Sequence, residues 1–332
     1  MRSRKDAPSG EHRKLEDSMQ QLSIGIVFAT MALAFGSLAA CGDDSPNDGG
    51  GPPAGQDGGT ANGDGGATPD TGAAGDGGSD SGSAGLGPGP YTLVYAGTEV
   101  GIDMRNVDQG KATFDGPKLL SYHASDDERP ELGTNQVNDA SGDAFIAIGR
   151  WSGGKTAGKF YEIAGTGLLD LPANGGFHYA IGNFTDPLPA SGSQTYSELA
   201  KTVATVSDGS AAPGTVAGSL AATFAGADTK IGFSITLDVS GDATYTLATT
   251  GGTADVSTTE AKIGGGNVKG VFFTSLDITS AGGACTGVGT CSGAVYGFVA
   301  GPNADRIGLV AHVYTGSGGS PKSVAGAIVF KK

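Results

Sequence analysis

The sequence predicts an all-β protein, in which a C-terminal eight-stranded antiparallel β-barrel is preceded by a smaller strand-rich region and a disordered tether. Three observations lead to this prediction. Apolar residues in the second half alternate with small or polar ones, for example in KIGFSITLDVS from Lys230, which is the period of a half-buried strand. Glycine-, serine- and asparagine-rich turns separate such runs. Sustained helical periodicity is hard to find, since the nearest candidate, YSELAKTVATV from Tyr196, has four β-branched residues in its second half and could equally be a strand.

The N-terminal segment, residues 1–40, is predicted to be a lipoprotein signal peptide. Residues 22–40 carry no charge and end in Leu-Ala-Ala before Cys41. This ending resembles the lipobox of bacterial lipoproteins, which implies that the Cys41 thiol is diacylglyceryl-modified, the chain is cut before it, and the new amino group is acylated. The alternative is an uncleaved transmembrane helix, since nineteen residues are near the lower limit for a span. Small residues before the cysteine and a polar segment after it favour cleavage.

Residues 41–89 follow as a tether. Residues 42–89 contain 18 Gly, 8 Asp and 5 Pro, with no Lys, Arg or aromatic residue. Such a segment buries too little apolar surface to offset its ordering entropy, so we expect a flexible chain with a root-mean-square span of about 40 Å. Four Asp-Gly-Gly triplets suggest calcium binding, but they lack the strict period and the hydrophobic position of calcium repeats, and a solvated spacer is favoured.

Charge is distributed unevenly along the chain. The net charge is +1 for the predicted signal peptide, −8 for the tether and −7 for residues 90–332, which together make −14. No cluster of Lys and Arg lies in the part that remains after processing. A nucleic-acid partner is therefore not expected, because phosphate backbones require clustered positive charge.

The barrel is predicted for residues 188–332. Eight short runs separated by turns indicate an up-and-down meander, and closure into a barrel would remove its exposed edges. Glycines within the runs would permit the sharp coiling of a small barrel. The predicted strands are residues 194–203, 215–225, 230–239, 242–250, 258–263, 292–300, 306–315 and 323–331.

Several segments of this region resemble the β-barrel of the transferrin-binding-protein-like surface lipoproteins, the type found in transferrin-binding protein B and factor H-binding protein. The similar segments are LPASGSQTYSELAKT from Leu188, GTVAGSLAATFAG, SGAVYGFVAGPNADRIGLVAHV from Ser292, and the closing GAIVFKK. The most specific element is a Gly-x-Phe-x-Gly-Pro-x-Ala pattern, which Gly297, Gly301, Pro302 and Ala304 match, while Val299 replaces the phenylalanine. The resemblance implies a barrel fold and brings no catalytic residues.

Residues 90–187 are predicted to form a smaller, strand-rich, handle-like region before the barrel. Plausible strands are YTLVYAG, DAFIAIGRW, GKFYEIAG and FHYAIG. Its handle-like character rests on analogy with two-domain members of the resembled group.

Cys285 and Cys291 are six residues apart in GGACTGVGTCSG. The short glycine-rich loop between them and an oxidising envelope favour a disulfide. Two alternatives remain open. Cys285 fits a nucleophile elbow, although that motif needs a strand before it and a helix after it, and a zinc site would lack half of its ligands.

The remaining candidates for chemistry are isolated residues. His178 and Tyr179 are suitable ligands for iron or haem, but a histidine satisfied by neighbouring strand residues is favoured. His312 is expected to be structural, and Trp151 is expected to pack in a core.

Together these features describe a lipid-anchored lipoprotein of the bacterial outer membrane, exposed at the cell surface, whose barrel binds a protein or a metal-carrying ligand. The alternative is a structural envelope lipoprotein with no dedicated ligand. The chain is expected to be a monomer that contacts the membrane through its lipid. No Ser-His-Asp order, carboxylate pair or metal cluster indicates an enzyme, so no catalytic residue, metal site or cofactor is expected.

Overall fold

The computed structural model describes residues 85–97, 104–124, 129–160, 168–226, 228–249, 256–257, 262–263, 266–267, 270–278, 283–285, 291–315 and 322–332. The predicted signal peptide, Cys41 and the tether up to residue 84 lie outside the described residues. The boundaries predicted for these segments, and the division of the rest into two domains, stay predictions.

Within the described residues, ten strands precede the barrel. They are β1 (Tyr91–Ala96), β2 (Met104–Asp115), β3 (Lys118–His123), β4 (Arg129–Glu131), β5 (Gln136–Gly142), β6 (Ile146–Ser152), β7 (Gly154–Lys155), β8 (Ala157–Lys159), β9 (Asp170–Leu171) and β10 (Phe177–Gly182).

Twelve strands and two short 3₁₀ turns follow in the part of the chain that the structure describes. They are β11 (Gly192–Lys201), β12 (Thr205–Val206), β13 (Thr215–Phe224), β14 (Lys230–Asp238), β15 (Thr244–Ala248), β16 (Val256–Ser257), β17 (Lys262–Ile263), β18 (Gly266–Asn267), β19 (Val271–Asp277), the turn Gly283–Cys285, β20 (Cys291–Ala300), the turn Pro302–Ala304, β21 (Arg306–Thr315) and β22 (Ser323–Lys331). The described part of the chain contains no α-helix, so the predicted all-β class is confirmed.

The first sheet has the order β5-β6-β10-β1-β2-β3-β4-β8. Its central strands β6, β10 and β1 are buried along their whole length, because each face of the sheet covers a different core. One face packs in an aromatic core around Trp151, whose indole stacks on Phe177 with a ring separation of 4.8 Å. The indole N–H donates to the Leu119 carbonyl at 2.9 Å. Trp151 is therefore a core residue, as predicted.

The second sheet is a nearly closed eight-stranded antiparallel barrel, as predicted. Its order is β15-β14-β13-β11-β22-β21-β20-β19, with β12 and β16 attached to β22 and β14. Consecutive strands are neighbours, and the first long strand, β11, pairs with the last, β22. This pairing joins the first and last strands of the meander, while β15 and β19, at the two ends of the sheet order, do not pair with each other in the described residues.

Side chains fill the barrel. The inward-facing residues of each strand are apolar and buried, as in β14, where Ile231, Phe233, Ile235 and Leu237 point inward. Gly297 on β20 accommodates one of the largest of these side chains, because a Cβ atom there would lie within 2.2 Å of the Phe272 ring. The close approach of ring to backbone explains the glycine inside this strand.

The barrel wall formed by β20, β21 and β22 packs against the second face of the first sheet. Val94, Ile148 and Ala180 of the first sheet form one buried cluster with Phe298 and Val329 of the barrel, among others. Barrel strands in this wall are therefore apolar on both faces, which is why SVAGAIVFK of β22 is buried from Ser323 to Phe330.

The fifth barrel strand differs from the prediction. The sequence pattern places it at residues 258–263, whereas the structure forms it from β19, Val271–Asp277. Residues 258–261 lie outside the described residues, and Lys262–Ile263 pairs with Gly266–Asn267 in a separate two-stranded sheet. The VFF start of β19 hides the alternation, because Phe272 points into the barrel while Val271 packs against the first sheet.

Candidate ligand-binding cleft at the barrel mouth

A cleft opens at one end of the barrel, which we call the barrel mouth. It has a volume of 840 Å³ and is lined by residues 184–194, Phe224, residues 301–303 and Lys332. Strand registers place the start of β11, the end of β13, the β20–β21 turn and the end of β22 at this end. Barrel mouths are common places for ligand sites, and pockets for small ligands span about 300–1,000 Å³.

The connection between the two sheets, residues 183–191, forms one wall of the cleft. Phe184 makes a β-bridge to Ala300, and the Thr185 N–H donates to the Val299 carbonyl at 2.8 Å. The Thr185 hydroxyl donates to the Gly301 carbonyl at 2.7 Å. These bonds hold the connection against the end of β20, so that it crosses the mouth before β11 begins.

The β20–β21 turn forms a second wall of the cleft. Gly301 and Asn303 adopt left-handed backbone angles with φ of 78° and 58°, which glycine and asparagine tolerate well. The Tyr196 hydroxyl donates to the Ala304 carbonyl at 2.5 Å and so ties the turn to β11. Burial, with a smaller contribution from the Asp305 carboxylate, raises the pKa of Tyr196, so the phenol stays a hydrogen-bond donor.

The floor of the cleft is apolar and its rim is polar. Phe224 and Leu188 are 7% and 9% exposed at the floor. Asp186 and Lys332, the charged residues among those that line the cleft, are exposed. This arrangement suits a mostly uncharged ligand that combines apolar contact with hydrogen bonding to main-chain groups.

A polar cluster, separate from the cleft, lies buried between the two sheets. The His178 ring nitrogens hydrogen-bond to the hydroxyls of Thr202 at 2.9 Å and Thr205 at 2.7 Å. Arg150 donates to the Asp139 carboxylate at 3.0 Å and to the Gly175 carbonyl at 2.6 Å. These contacts join strands β5, β6 and β10 to the β11–β12 segment, so the cluster is a structural connection between sheets.

His178 and His312 are both buried, and burial favours their neutral forms at pH 7. Burial is the main cause that lowers the pKa of His178 well below its ordinary value of 6.5, and Arg150 and His312 lower it further. Burial alone lowers the pKa of His312 to about 4. The interpretation of His178 and Tyr179 as a joint iron or haem contact is wrong, because they lie on opposite faces of β10. Tyr179 points into the aromatic core, where its hydroxyl accepts the Leu119 N–H at 3.0 Å.

Cys285 and Cys291 form a disulfide with their Cα atoms 5.5 Å apart. Because both sulfurs are consumed in this bond, neither the nucleophile elbow nor the zinc alternative applies to them. Registers place Cys291 at the end of the barrel away from the cleft. Among the residues that the structure describes, no three His, Cys, Asp or Glu side chains are arranged to hold a metal ion.

The predicted lipidation site, Cys41, lies outside the described residues and stays a prediction. Within the described ranges, no helix has the length and apolar character needed to cross a bilayer.

Sequence reasoning did not identify the cleft as a site. Two of the segments quoted for the family resemblance nevertheless meet there, LPASGS from Leu188 and the Gly301-Pro302 turn. A signal was therefore present in the glycine- and proline-rich junctions, but no residue in them carries distinctive chemistry. Their proximity follows from barrel closure, which a linear pattern does not display.

Comparisons with known proteins yield a distant structural likeness. No protein-family model matches the sequence, and no curated protein is significantly similar to it. Among solved structures, a variant of transferrin-binding protein B from Haemophilus parasuis matches with a TM-score of 0.36 and 13% sequence identity. The match covers 73% of this chain and 45% of that structure, so this chain corresponds to less than half of the protein it matches.

Proposed function

We propose that this protein is a lipid-anchored lipoprotein of the bacterial outer membrane, exposed at the cell surface, and that its barrel is a binding module for a protein or a metal-carrying ligand. The Leu-Ala-Ala-Cys41 ending of the apolar segment and the charged, glycine-rich tether after it support the anchor. A single acyl chain binds membranes weakly, so the two or three chains of a lipoprotein would be needed for stable attachment.

The open cleft at the barrel mouth is the observation that carries the binding function. The barrel interior is packed with apolar side chains, so a ligand of any size has to bind outside it. The cleft offers an apolar floor and a polar rim, and its two walls are fixed by the bonds of Thr185 and Tyr196 to the β20–β21 turn. Walls held in this way lose little conformational entropy when a ligand binds.

Two matched variants of the full chain on intact cells test the binding function. Gln194→Trp places an indole in the cleft, because Gln194 lines it and shares the inward face of β11 with Tyr196, whereas Ser240→Trp places it in an exposed turn at the opposite end of the barrel. A ligand retained by wild-type cells and by Ser240→Trp cells, but lost from Gln194→Trp cells, supports the proposal. Equal retention by both variants contradicts binding at the cleft.

The anchor is tested separately. Metabolic labelling with a palmitate analogue should mark the wild-type chain and leave Cys41→Ala unmarked, and Cys41→Ala should leave the membrane fraction. Protease treatment of whole cells should release peptides from residues 90–332 if the protein faces outward. A labelled, surface-exposed protein that retains no ligand in any variant would favour the alternative, a structural envelope lipoprotein.

A further inference from the structure

Strand β11 divides its pairing between two neighbours. Residues 192–196 pair with β13, and residues 197–201 pair with β22. In the described part of the chain, no strand pairs with the other side of β11 between residues 192 and 196. This open side forms a margin of the cleft, because residues 192–194 line it.

The direction of the main-chain groups on this open side follows from the alternation of an antiparallel ladder. The Gly218 N–H points toward β11, where it donates to the Glu198 carboxylate at 2.7 Å. The main-chain groups of Leu220, two residues further along β13, also point toward β11. Leu220 and Tyr196 are therefore a hydrogen-bonded pair of the ladder. The main-chain groups of the intervening residues Thr195 and Ser193 therefore point away from β13, into the cleft.

A side chain satisfies one of these groups at present. The Gln194 side-chain amide folds back and donates to the Thr195 carbonyl at 2.7 Å. A neighbouring strand would normally supply such a donor. An exposed glutamine amide is easily displaced, since its replacement by a strand N–H leaves both groups hydrogen-bonded.

The register of β22 points to the same place. Ser197 is paired with Lys331, and the Lys332 N–H donates to the Asp305 carbonyl at 3.0 Å. A strand continuing in this register would lie opposite Tyr196, Thr195 and Gln194 in turn. The cleft occupies the space beyond Lys331, between the open side of β11 and the β20–β21 turn, and is therefore a slot shaped for an extended segment.

We propose that the cleft binds an extended, mostly uncharged segment of a partner protein, which adds to β11 as a short strand in line with β22. This inference rests on the proposed binding function and names the form of its ligand. Main-chain bonds to Ser193 and Thr195 supply affinity, and alternate side chains of the segment face inward onto Phe224 and Leu188. Charged side chains are disfavoured at the inward positions, because the floor offers them no counter-charge.

A chain extension fills the slot intramolecularly and tests its shape. The full-length chain carrying Cys41→Ser, which cannot be acylated, is extended after Lys332 by Thr-Val-Thr-Val-Thr. Since Phe330 points into the barrel, the two valines would point inward. The matched control, called the proline extension, carries Pro-Val-Pro-Val-Thr. Its prolines replace the first and third threonines, whose N–H groups would face Thr195 and Ser193. We expect hydrogen exchange at the amides of Ser193 and Thr195 to slow at least tenfold with the valine extension alone. Equal exchange in both variants overturns the proposal.

A free peptide and intact cells then separate the two proposals. The peptide Lys-Thr-Val-Thr-Val-Thr-Lys should slow the same amides of the unextended chain, and the valine extension should abolish this effect. On cells, the valine extension should release the retained ligand while the proline extension keeps it. If the valine extension slows exchange at Ser193 and Thr195 but the cells still retain the ligand, the cleft is not the binding site of that ligand. The proposed binding function is then unaffected. If the protein is a dimer that the valine extension dissociates and the proline extension does not, the cleft binds a second copy of this chain. That result overturns the proposal of a segment from a partner protein.

Discussion

Glu198 takes the place of a strand neighbour for Gly218. One oxygen of its carboxylate accepts a hydrogen bond from the Gly218 N–H at 2.7 Å, and the other oxygen accepts a hydrogen bond from the Lys201 ammonium at 2.9 Å. This contact lies where β11 leaves β13 to pair with β22, next to an irregularity in the register between Glu198 and Ala200. The Glu198 side chain thereby satisfies the Gly218 N–H at the point where β11 changes its pairing from β13 to β22.

Replacing Glu198 with alanine should therefore weaken the barrel. Loss of the bond to Gly218 is expected to lower the free energy of unfolding by about 1–2 kcal/mol. Lys201→Ala removes only an exposed ion pair and is expected to cost less than about 1 kcal/mol. Denaturant unfolding of both variants measures the difference, and equal effects would show that the carboxylate acts only through Lys201.

Acid should destabilise the protein through its buried histidines. The folded-state pKa of His312, about 4, lies below the unfolded value of 6.5, so between these values the unfolded chain binds a proton that the folded chain does not. Stability is then complete above pH 6.5 and falls as pH decreases, by up to about 1.4 kcal/mol per pH unit for each such group. His178 contributes in the same direction.

His312→Leu should reduce this slope between pH 6.5 and 5, where most carboxylates remain charged. The substitution removes little else, because the His312 Nε2 atom has no hydrogen-bond partner among the described residues. His178→Leu should also reduce the slope but lower stability at pH 7, since Thr202 and Thr205 lose their partner. Unfolding curves at half-unit pH steps measure both, and an unchanged slope in His312→Leu would contradict the origin assigned here.

Gly297 and Phe272 should behave as a coupled pair. Gly297→Ala places a methyl group into the Phe272 ring and is expected to cost about 1–3 kcal/mol through overpacking. Phe272→Leu leaves space beside Gly297, so the double variant should be more stable than the sum of the single effects predicts. A thermal unfolding cycle over the four proteins gives the coupling energy, and simple additivity would argue against direct contact.

Removing the disulfide should lower stability without affecting the cleft. Cys285 and Cys291 close a short loop, and the chain-entropy relation gives about 2 kcal/mol for a loop of this length. The double serine variant should therefore unfold more easily while keeping ligand retention on cells, because the bond lies at the opposite end of the barrel from the cleft. Loss of retention under conditions where the variant is folded would contradict this separation.

Local patterns were sufficient to predict the barrel strands whose two faces differ. In β14 and β15, inward apolar residues alternate with outward polar ones, and the predicted strands agree closely with the observed bounds. The pattern was insufficient where a strand is apolar on both faces, as at Val271 and Phe272, and where it is largely polar, as in MRNVDQGKATFD of β2. At Val271 a sheet distant in sequence decides the structure, whereas β2 is held by pairing with its neighbours β1 and β3.

The candidate site could not be predicted for a related reason. Apart from its apolar floor, the cleft is lined largely by glycines, prolines and small polar residues whose importance lies in their main-chain groups. The open side of β11 becomes apparent only when the pairing of residues 192–196 with β13 and of residues 197–201 with β22 is known. The buried histidines were correctly expected to be structural, because an isolated histidine in an apolar strand is more often satisfied by its neighbours.

The pairing of β11 with β22 has a consequence for how the protein is made. During synthesis, more than a hundred residues must be added after β11 before β22, the later of its two partners, appears. The same late strand, together with β20 and β21, covers one face of the first sheet, so the apolar surface on that face cannot be buried early. Burial of this surface is thereby postponed until synthesis of this region is nearly finished.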